Sequence, residues 1–169
     1  QLLAATRRTA HLARQLLTLA AVDPATERPF EPTAVDLTAV LHEAVAEWVT
    51  RADAKGIDLG FELEPAQVRG EALLLRELAG NLIDNALAYT PAGGQVTART
   101  GTRAGAPFLE VEDSGPGVPE AERERVFEPF YSRRGTGLGL ALVRQIARRH
   151  GGEARCEGNC FVVTLRSSP

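Results

Sequence analysis

The sequence predicts an α/β two-layer sandwich, with one layer of helices lying on one mixed β-sheet. Three observations predict it. Segments with apolar residues at helical spacing take turns along the chain with segments that alternate residue by residue. Several strand-like segments are joined by turns too tight for a parallel crossover, so the sheet must mix orientations. Of the 169 residues 44% are hydrophobic but only 5% are aromatic, so a core is built mainly of Leu, Val, Ala and Ile.

Charge and composition exclude several function classes. The net charge is −3 and the charges are interspersed, so no basic stripe offers itself to nucleic acid. The apolar runs fall short of the ~20 residues of a membrane helix. The opening QLLAATRRTAHLARQ carries arginines and no cleavage pattern, so it does not read as a signal peptide, and a soluble chain is expected. Cys156 and Cys160 are the only cysteines. A two-ligand metal site or a small disulfide is conceivable, but no further ligands lie nearby. Two reduced thiols flanking a hairpin turn is the simpler reading.

In chain order, residues 1–21 read as a helix whose Ala5, Thr9, Leu12, Leu16 and Leu19 have the seam spacing of a coiled coil or four-helix bundle. Arg7, Arg8, Arg14 and Gln15 occupy its other faces, and so short a helix calls for a packing partner. Asp23-Pro24 stops it, and residues 22–35, with Pro24, Pro29 and Pro32, read as a linker. Asp36 caps a second helix running through Trp48 and Val49 toward Gly56. Residues 57–63 alternate as a strand, and 67–69 form a short one. A long helix spans about 71–89, closed by Thr90-Pro91. Residues 95–100 and 108–112 read as a strand pair. After a Gly/Pro-rich loop, a short helix near 119–126 and an irregular loop come a helix over 138–149 and a hairpin over 153–165.

Four segments carry candidate chemistry. In LRELAGNLIDNALAYTP (75–91), Asn81 and Asn85 are four apart and share a helix face, beside Leu78, Leu82 and Ala86 turned to the core. An amide oxygen is a hard ligand suited to Mg²⁺, although two solvent-facing asparagines fit the pattern as well. In EDSGPGVP (112–119), Asp113 ends a strand, and Gly115 and Gly117 let the backbone approach a ligand. A buried carboxylate there accepts from the exocyclic amine of adenine and disfavours guanine, whose carbonyl leaves it unpaired. A plain Asp-Ser-Gly turn is the alternative. In RVFEPFY (125–131), Phe127 and Phe130 stand as apolar anchors for a lid, or as ordinary core. In GTGLGLALV (135–143), glycines open a helix whose first amides can face phosphate oxygens. Neither the Walker nor the dinucleotide-binding glycine spacing is present.

Taken together and in this order, the four segments resemble the N, G1, F and G2 boxes of sensor histidine kinases, over roughly residues 34–166. The wider superfamily shares the Bergerat ATP-binding fold. Residues 1–21, ending RQLLTLAAVD, look like the second helix of the kinase dimerisation hairpin, which leaves 22–35 as linker and 36–169 as catalytic domain. The resemblance implies that Asn85 coordinates Mg²⁺ and that Asn81 assists around metal and phosphates. It implies that Asp113 binds adenine with Tyr89 beside the ring, and that Gly115 and Gly117 shape the adenine side of the lid. Thr136, Gly137, Leu138 and Gly139 would supply main-chain contacts to the phosphates. Hydrolytic members place a glutamate where Asn81 stands. An amide cannot take that proton, which favours transfer over hydrolysis.

By the same resemblance the γ-phosphate goes to a histidine followed by Glu or Asp and then a proline. His11-Leu12, His42-Glu43 without a proline, and His150 before Gly-Gly do not fit that pattern. The acceptor is therefore expected outside this chain, on a preceding helix, with a response regulator aspartate receiving the phosphate afterwards. The parent is expected to be a homodimer anchored in the bacterial inner membrane, this part being cytoplasmic. Two departures stand out. Ala88 replaces a basic residue frequent before the tyrosine, and only Ser132-Arg133-Arg134 separate Tyr131 from Gly135, so the lid is short. Arg133 or Arg134 either reaches the γ-phosphate or is a solvated charge. An anti-sigma-type serine kinase and a non-catalytic nucleotide switch of the same fold are the alternatives.

Overall fold

The structure, a computed structural model, describes residues 2–23 (side chains from residue 9), 29–132 and 134–168. The expected stop at Pro24, Arg133, and the side chains of Ala5, Arg7 and Arg8 lie outside the described residues. The chain runs α1 (Leu2–Val22), β1 (Thr33–Asp36), α2 (Leu37–His42), α3 (Val45–Asp53), β2 (Asp58–Leu63), β3 (Gln67–Gly70) and α4 (Ala72–Tyr89). It continues through β4 (Gln95–Arg103), β5 (Ala106–Asp113), α5 (Gly139–Arg149), β6 (Glu153–Glu157) and β7 (Cys160–Thr164). Two single 3₁₀ turns, Glu120–Glu122 and Arg125–Phe127, replace the short helix expected before α5.

Five strands form one sheet in the order β2-β4-β5-β7-β6. β2 runs parallel to β4 and the other pairings are antiparallel, so the sheet is mixed. Local chemistry sets the connections. Ala104 and Gly105 both have positive φ, 50° and 81°, the backbone of a two-residue hairpin turn that matches strand twist. Where α5 gives way to β6, any side chain at Gly152 would overlap the Thr164 carbonyl oxygen, so only glycine lets helix and strand pass this closely.

The helices α4 and α5 cover one face of the sheet. Leu75, Leu78, Leu82 and Ile83 of α4, with Leu142 and Ile146 of α5, are buried against Val96, Leu109, Val111 and Val163. Each such aliphatic side chain contributes about 1.5–3 kcal/mol on leaving water. On the opposite face Arg99 lies between Glu112 at 2.7 Å, Glu62 at 2.6 Å and Glu110 at 3.2 Å. The bond to Glu112, then that to Glu62, holds its guanidinium above the usual range.

Three differences from the sequence reading have physical causes. The second helix is broken, because the Ala44 N–H bonds three residues back to the Leu41 carbonyl at 3.0 Å and tightens the chain between α2 and α3. Trp48 and Ala52 then face inward, and Trp48 stacks on Phe61 at 6.5 Å. The proline-rich stretch read as linker ends in a strand, since β1 pairs antiparallel with β3 and buries Val35. The cysteines cannot pair with each other. Cys156 stands opposite Phe161 on the helix-covered face, whereas Cys160 stands opposite Glu112 on the other. Burial first of all pushes the two thiols up to about 11 and about 12, so they stay protonated.

One buried polar group ties the end of α5 to the start of α4. His150, 1% exposed, sits at the end of α5. Its Nε2 accepts from the Glu71 N–H at 3.0 Å, so Nδ1 carries the proton and donates to the Ile146 carbonyl at 2.8 Å. Burial pushes its pKa down, against the Ile146 bond, which raises it. The unfolded chain therefore takes up the proton first. This contribution to stability is complete above about pH 6.5 and is lost as the pH falls below it. Urea titrations from pH 8 to 5 should show that loss in the native chain. His150→Phe should flatten the slope and lower stability at pH 8 by about 1–3 kcal/mol, because the Glu71 N–H loses its partner.

Candidate active site

A cavity of about 1090 Å³ opens between α4, the loop after β5, the start of α5 and the inner side of α1. Its size suits a small-molecule ligand. Seating α4 on the sheet through Leu78, Leu82 and Ala86 turns Asn81, Asn85 and Tyr89, one turn apart, to the cavity wall. At the other end of the wall β5 delivers Asp113, 7% exposed. Burial raises its pKa, the Gly115 N–H bonded to Oδ1 at 2.7 Å pulls it back, and the Glu112 charge adds a smaller push upward. A side chain at Gly115 would stand 2.7 Å from that oxygen and 2.9 Å from the Tyr89 carbonyl, so the close approach requires glycine.

Most of the sequence-predicted residues meet here. Asn81, Asn85, Tyr89, Asp113, Gly117, Thr136, Gly137 and Gly139 line the cavity. Two do not. Gly115 sits behind Asp113. The Leu138 side chain is fully buried, and its N–H is bonded to the Thr136 hydroxyl at 3.3 Å. Asn81 also differs from a solvent-facing amide, being 6% exposed, with Nδ2 donating to the Glu77 carbonyl at 2.8 Å.

The segment from Val118 to Gly137 is compact. Phe127 is the anchor expected, edge-on to Phe161 at 6.1 Å and covered by Arg144 at 5.0 Å. Arg144 also bonds Glu153 at 2.9 Å and Glu124 at 3.0 Å, tying the segment to α5 and β6. Phe130 is not a second anchor. Its side chain is 72% exposed, and its φ of +65° lets its N–H reach the Gly137 carbonyl at 2.9 Å. The backbone bond, not the ring, closes this loop.

Arg134, read from sequence as a phosphate contact or a solvated charge, instead lines the cavity with Nη1 donating to the Ala88 carbonyl at 3.2 Å. The position that lacks a cation thus receives one from the opposite side, and the shortness of the segment was the available signal. Lining residues on α1 did escape the sequence reading. Gln15 was read onto an outer helix face yet is 4% exposed. It donates to Asn81 Oδ1 at 2.8 Å and accepts from the Thr136 hydroxyl at 2.9 Å. His11, one turn earlier, also lines the cavity.

A family model for histidine kinase-, DNA gyrase B- and HSP90-like ATPases matches residues 70–169. The chain is 40% identical over 152 residues to the sensor protein kinase PmrB of Pseudomonas aeruginosa, covering 86% of this chain and 31% of that protein. It is 38% identical over 160 residues to the sensor protein CutS of Streptomyces coelicolor, covering 89% and 38%. The chain therefore spans about a third of the length of these relatives. Among solved structures it is similar to the Acinetobacter baumannii histidine kinase AdeS, with a TM-score of 0.82 at 25% identity over 99% of this chain and 83% of that one. It is also similar to the catalytic domain of the histidine kinase ThkA, with a TM-score of 0.75 at 28% identity over 82% and 99%.

The two positive-φ glycines of the loop before α5 should respond differently to a methyl group. Gly135, φ +77°, has open space around it, so Gly135→Ala should cost only the left-handed strain of about 1–2 kcal/mol. At Gly137, φ +70°, the added carbon would stand 2.7 Å from the Phe130 carbonyl carbon. Gly137→Ala should cost clearly more in denaturant unfolding and should expose the loop to limited proteolysis. Equal costs would show that the Phe130–Gly137 closure does not constrain the loop.

Proposed function

Since the chain belongs to the histidine kinase-, DNA gyrase B- and HSP90-like ATPase family, we propose that it is the ATP-binding catalytic part of a two-component sensor histidine kinase. Residues 1–21 are then the end of a dimerisation-hairpin helix, 22–35 a linker and 36–169 the catalytic domain. One observation carries the reading. A single cavity has a buried carboxylate, Asp113, at one end, and asparagines beside a glycine-opened helix start at the other.

Asp113, whose carboxylate is held in place by the Gly115 N–H, accepts from the adenine amine, with Tyr89 beside the ring. Gly115 and Gly117 let the backbone close on the base. Thr136, Gly137 and Gly139 face the phosphates, where the free amides of the α5 start and its dipole favour negative charge. Leu138, its side chain buried, meets the phosphates through its main chain alone. Arg134 adds positive charge at the mouth.

Mg²⁺ suits the donor set. Asn85 offers a hard amide oxygen on the wall, and no cluster of three acidic, His or Cys side chains is found among the described residues. A cation that keeps its waters and takes its remaining oxygens from phosphates needs no such cluster. When bound it neutralises charge developing on the phosphates. Asn81, at the position of a water-activating glutamate in hydrolytic relatives, has no basic site with which to deprotonate water, so transfer is favoured. The γ-phosphoryl group passes to an imidazole nitrogen as the P–N bond forms, the P–O bond to ADP breaks and the ring N–H proton leaves to solvent. A response regulator aspartate is the next acceptor, in a membrane-anchored homodimeric parent whose catalytic part is cytoplasmic.

No histidine among these residues matches the acceptor pattern, and His150 has both ring nitrogens bonded. A serine kinase of the anti-sigma type is disfavoured by the long α1. A nucleotide switch without catalysis is distinguished by turnover alone.

Calorimetry with ATP and Mg²⁺ should give saturable binding. Asp113→Asn should weaken it by about thirtyfold, the worth of a charged hydrogen bond of about 2 kcal/mol. Because burial raises the Asp113 pKa, affinity should fall on acidification at a higher pH than an exposed carboxylate would allow. Undiminished affinity in Asp113→Asn would overturn the base assignment. Incubation with γ-labelled ATP and a helical-hairpin peptide bearing His-Glu-x-x-x-Pro should label the peptide's histidine. Label appearing instead on this chain, and lost in His11→Ala, would move the acceptor into α1.

A further inference from the structure

We propose that Gln15 is a latch that fastens α1 over the phosphate end of the cavity, so that nucleotide binding and α1 docking exclude each other. The inference rests on the ATP-binding reading above. Helix α1 is inverted in polarity where it meets the domain. Gln15 is 4% exposed, while its neighbours Leu16 and Leu17 are 45% and 73% exposed. A buried glutamine beside exposed leucines is unfavourable unless both ends of its amide are bonded. Both are, and to the two elements that frame the phosphate end. Nε2 donates to Asn81 Oδ1 on α4 at 2.8 Å, and Oε1 accepts from the Thr136 hydroxyl at 2.9 Å, just before α5.

One of these bonds, from the Thr136 hydroxyl, uses a donor that an anion would otherwise take. A hydroxyl has one proton, and that of Thr136 is given to Gln15. One Asn81 N–H is given to Glu77. Gln15 lines the cavity, and its carbonyl oxygen, bonded to Thr136, has no proton to offer a triphosphate. A methyl group at Gly139 would lie 3.0 Å from Asn81 Oδ1 and 3.6 Å from Gln15 Nε2, so the amide comes close to the helix start as well. An entering phosphate must turn this amide out and take the Thr136 hydroxyl. Leu19, packed on the core, and Val22, 2% exposed, keep the C-terminal end of α1 seated. The part that lifts is the part before them. Reciprocity then follows from linkage: whatever repositions α1 changes nucleotide affinity, and nucleotide changes the freedom of α1 by the same factor.

The whole 169-residue chain is titrated with a magnesium-bound, non-hydrolysable ATP analogue, as native, Gln15→Ala and Leu17→Ala. Gln15→Ala should bind roughly three- to tenfold more tightly, as expected for the loss of one or two buried neutral hydrogen bonds. Leu17→Ala, altering an exposed residue on the same helix, should bind as the native chain does. Hydrogen exchange on the native chain needs no variant. Amides of residues 9–17 should exchange faster when the analogue saturates the site. Unchanged or weaker binding by Gln15→Ala, or α1 exchange that is unchanged or slowed, overturns the latch while leaving the ATP reading intact. Absence of binding by any of the three chains removes that reading, and the latch with it.

Discussion

The seating of α4 on the sheet is the constraint from which the rest follows. Leu75, Leu78, Leu82 and Ile83 enter one apolar layer with Val96, Leu109 and Val111, and their burial fixes the rotation of the helix about its axis. Once that rotation is fixed, Asn81, Asn85 and Tyr89 have one direction in which to point. The same layer positions β5, whose alternation puts Leu109 and Val111 inward and brings Asp113 into line behind them at the cavity. Apolar packing thus sets the spacing between the two ends of the pocket. The polar groups are placed by it and contribute little to holding it.

How much of this was legible varies with the range of the interaction. The class of fold, the long α4, and the cavity residues on α4 and after β5 follow from local patterns: spacing on a helix, a strand ended by Asp, glycines before a helix. Those signals survive in any tertiary context. The broken α2–α3 helix did not show, because no Gly or Pro marks it. The kink is a pair of three-residue hydrogen bonds at Ala44, just before Trp48 stacks on Phe61. Phe127 and Phe130 look alike in sequence, and only the backbone conformation at Phe130 turns one outward. Gln15 was least legible of all, since its partners lie 66 and 121 residues away.

The helix layer also explains why the site can respond to events at its margin. Asn81 and Thr136 belong to different elements, and a side chain from a third element bonds to both. Such a bridge costs little to break, because each bond is exchanged for one with water or ligand. Two-state behaviour at a few kcal/mol is within reach of contacts of this kind. Arg134 bridges in a similar way from the loop to the last turn of α4, so polar side chains span both borders of a cavity whose walls are placed by core packing.

The tip of the β6–β7 hairpin is short, only Gly158 and Asn159, and it carries more than a chain reversal. Its Gly158 carbonyl receives the Val118 N–H at 2.8 Å, and the Asn159 carbonyl receives the Asp113 N–H at 3.0 Å. A methyl on Gly117 would already stand 3.3 Å from the Gly158 carbonyl carbon. Hairpin tips are ordinarily where a chain tolerates extra residues. This one is a roof beam over the carboxylate end of the pocket, and lengthening it would unhook two backbone donors at once. Grafted peptides and fluorescent inserts belong at the Ala104–Gly105 tip instead, a turn between β4 and β5 that lies at the far end of those strands from Asp113.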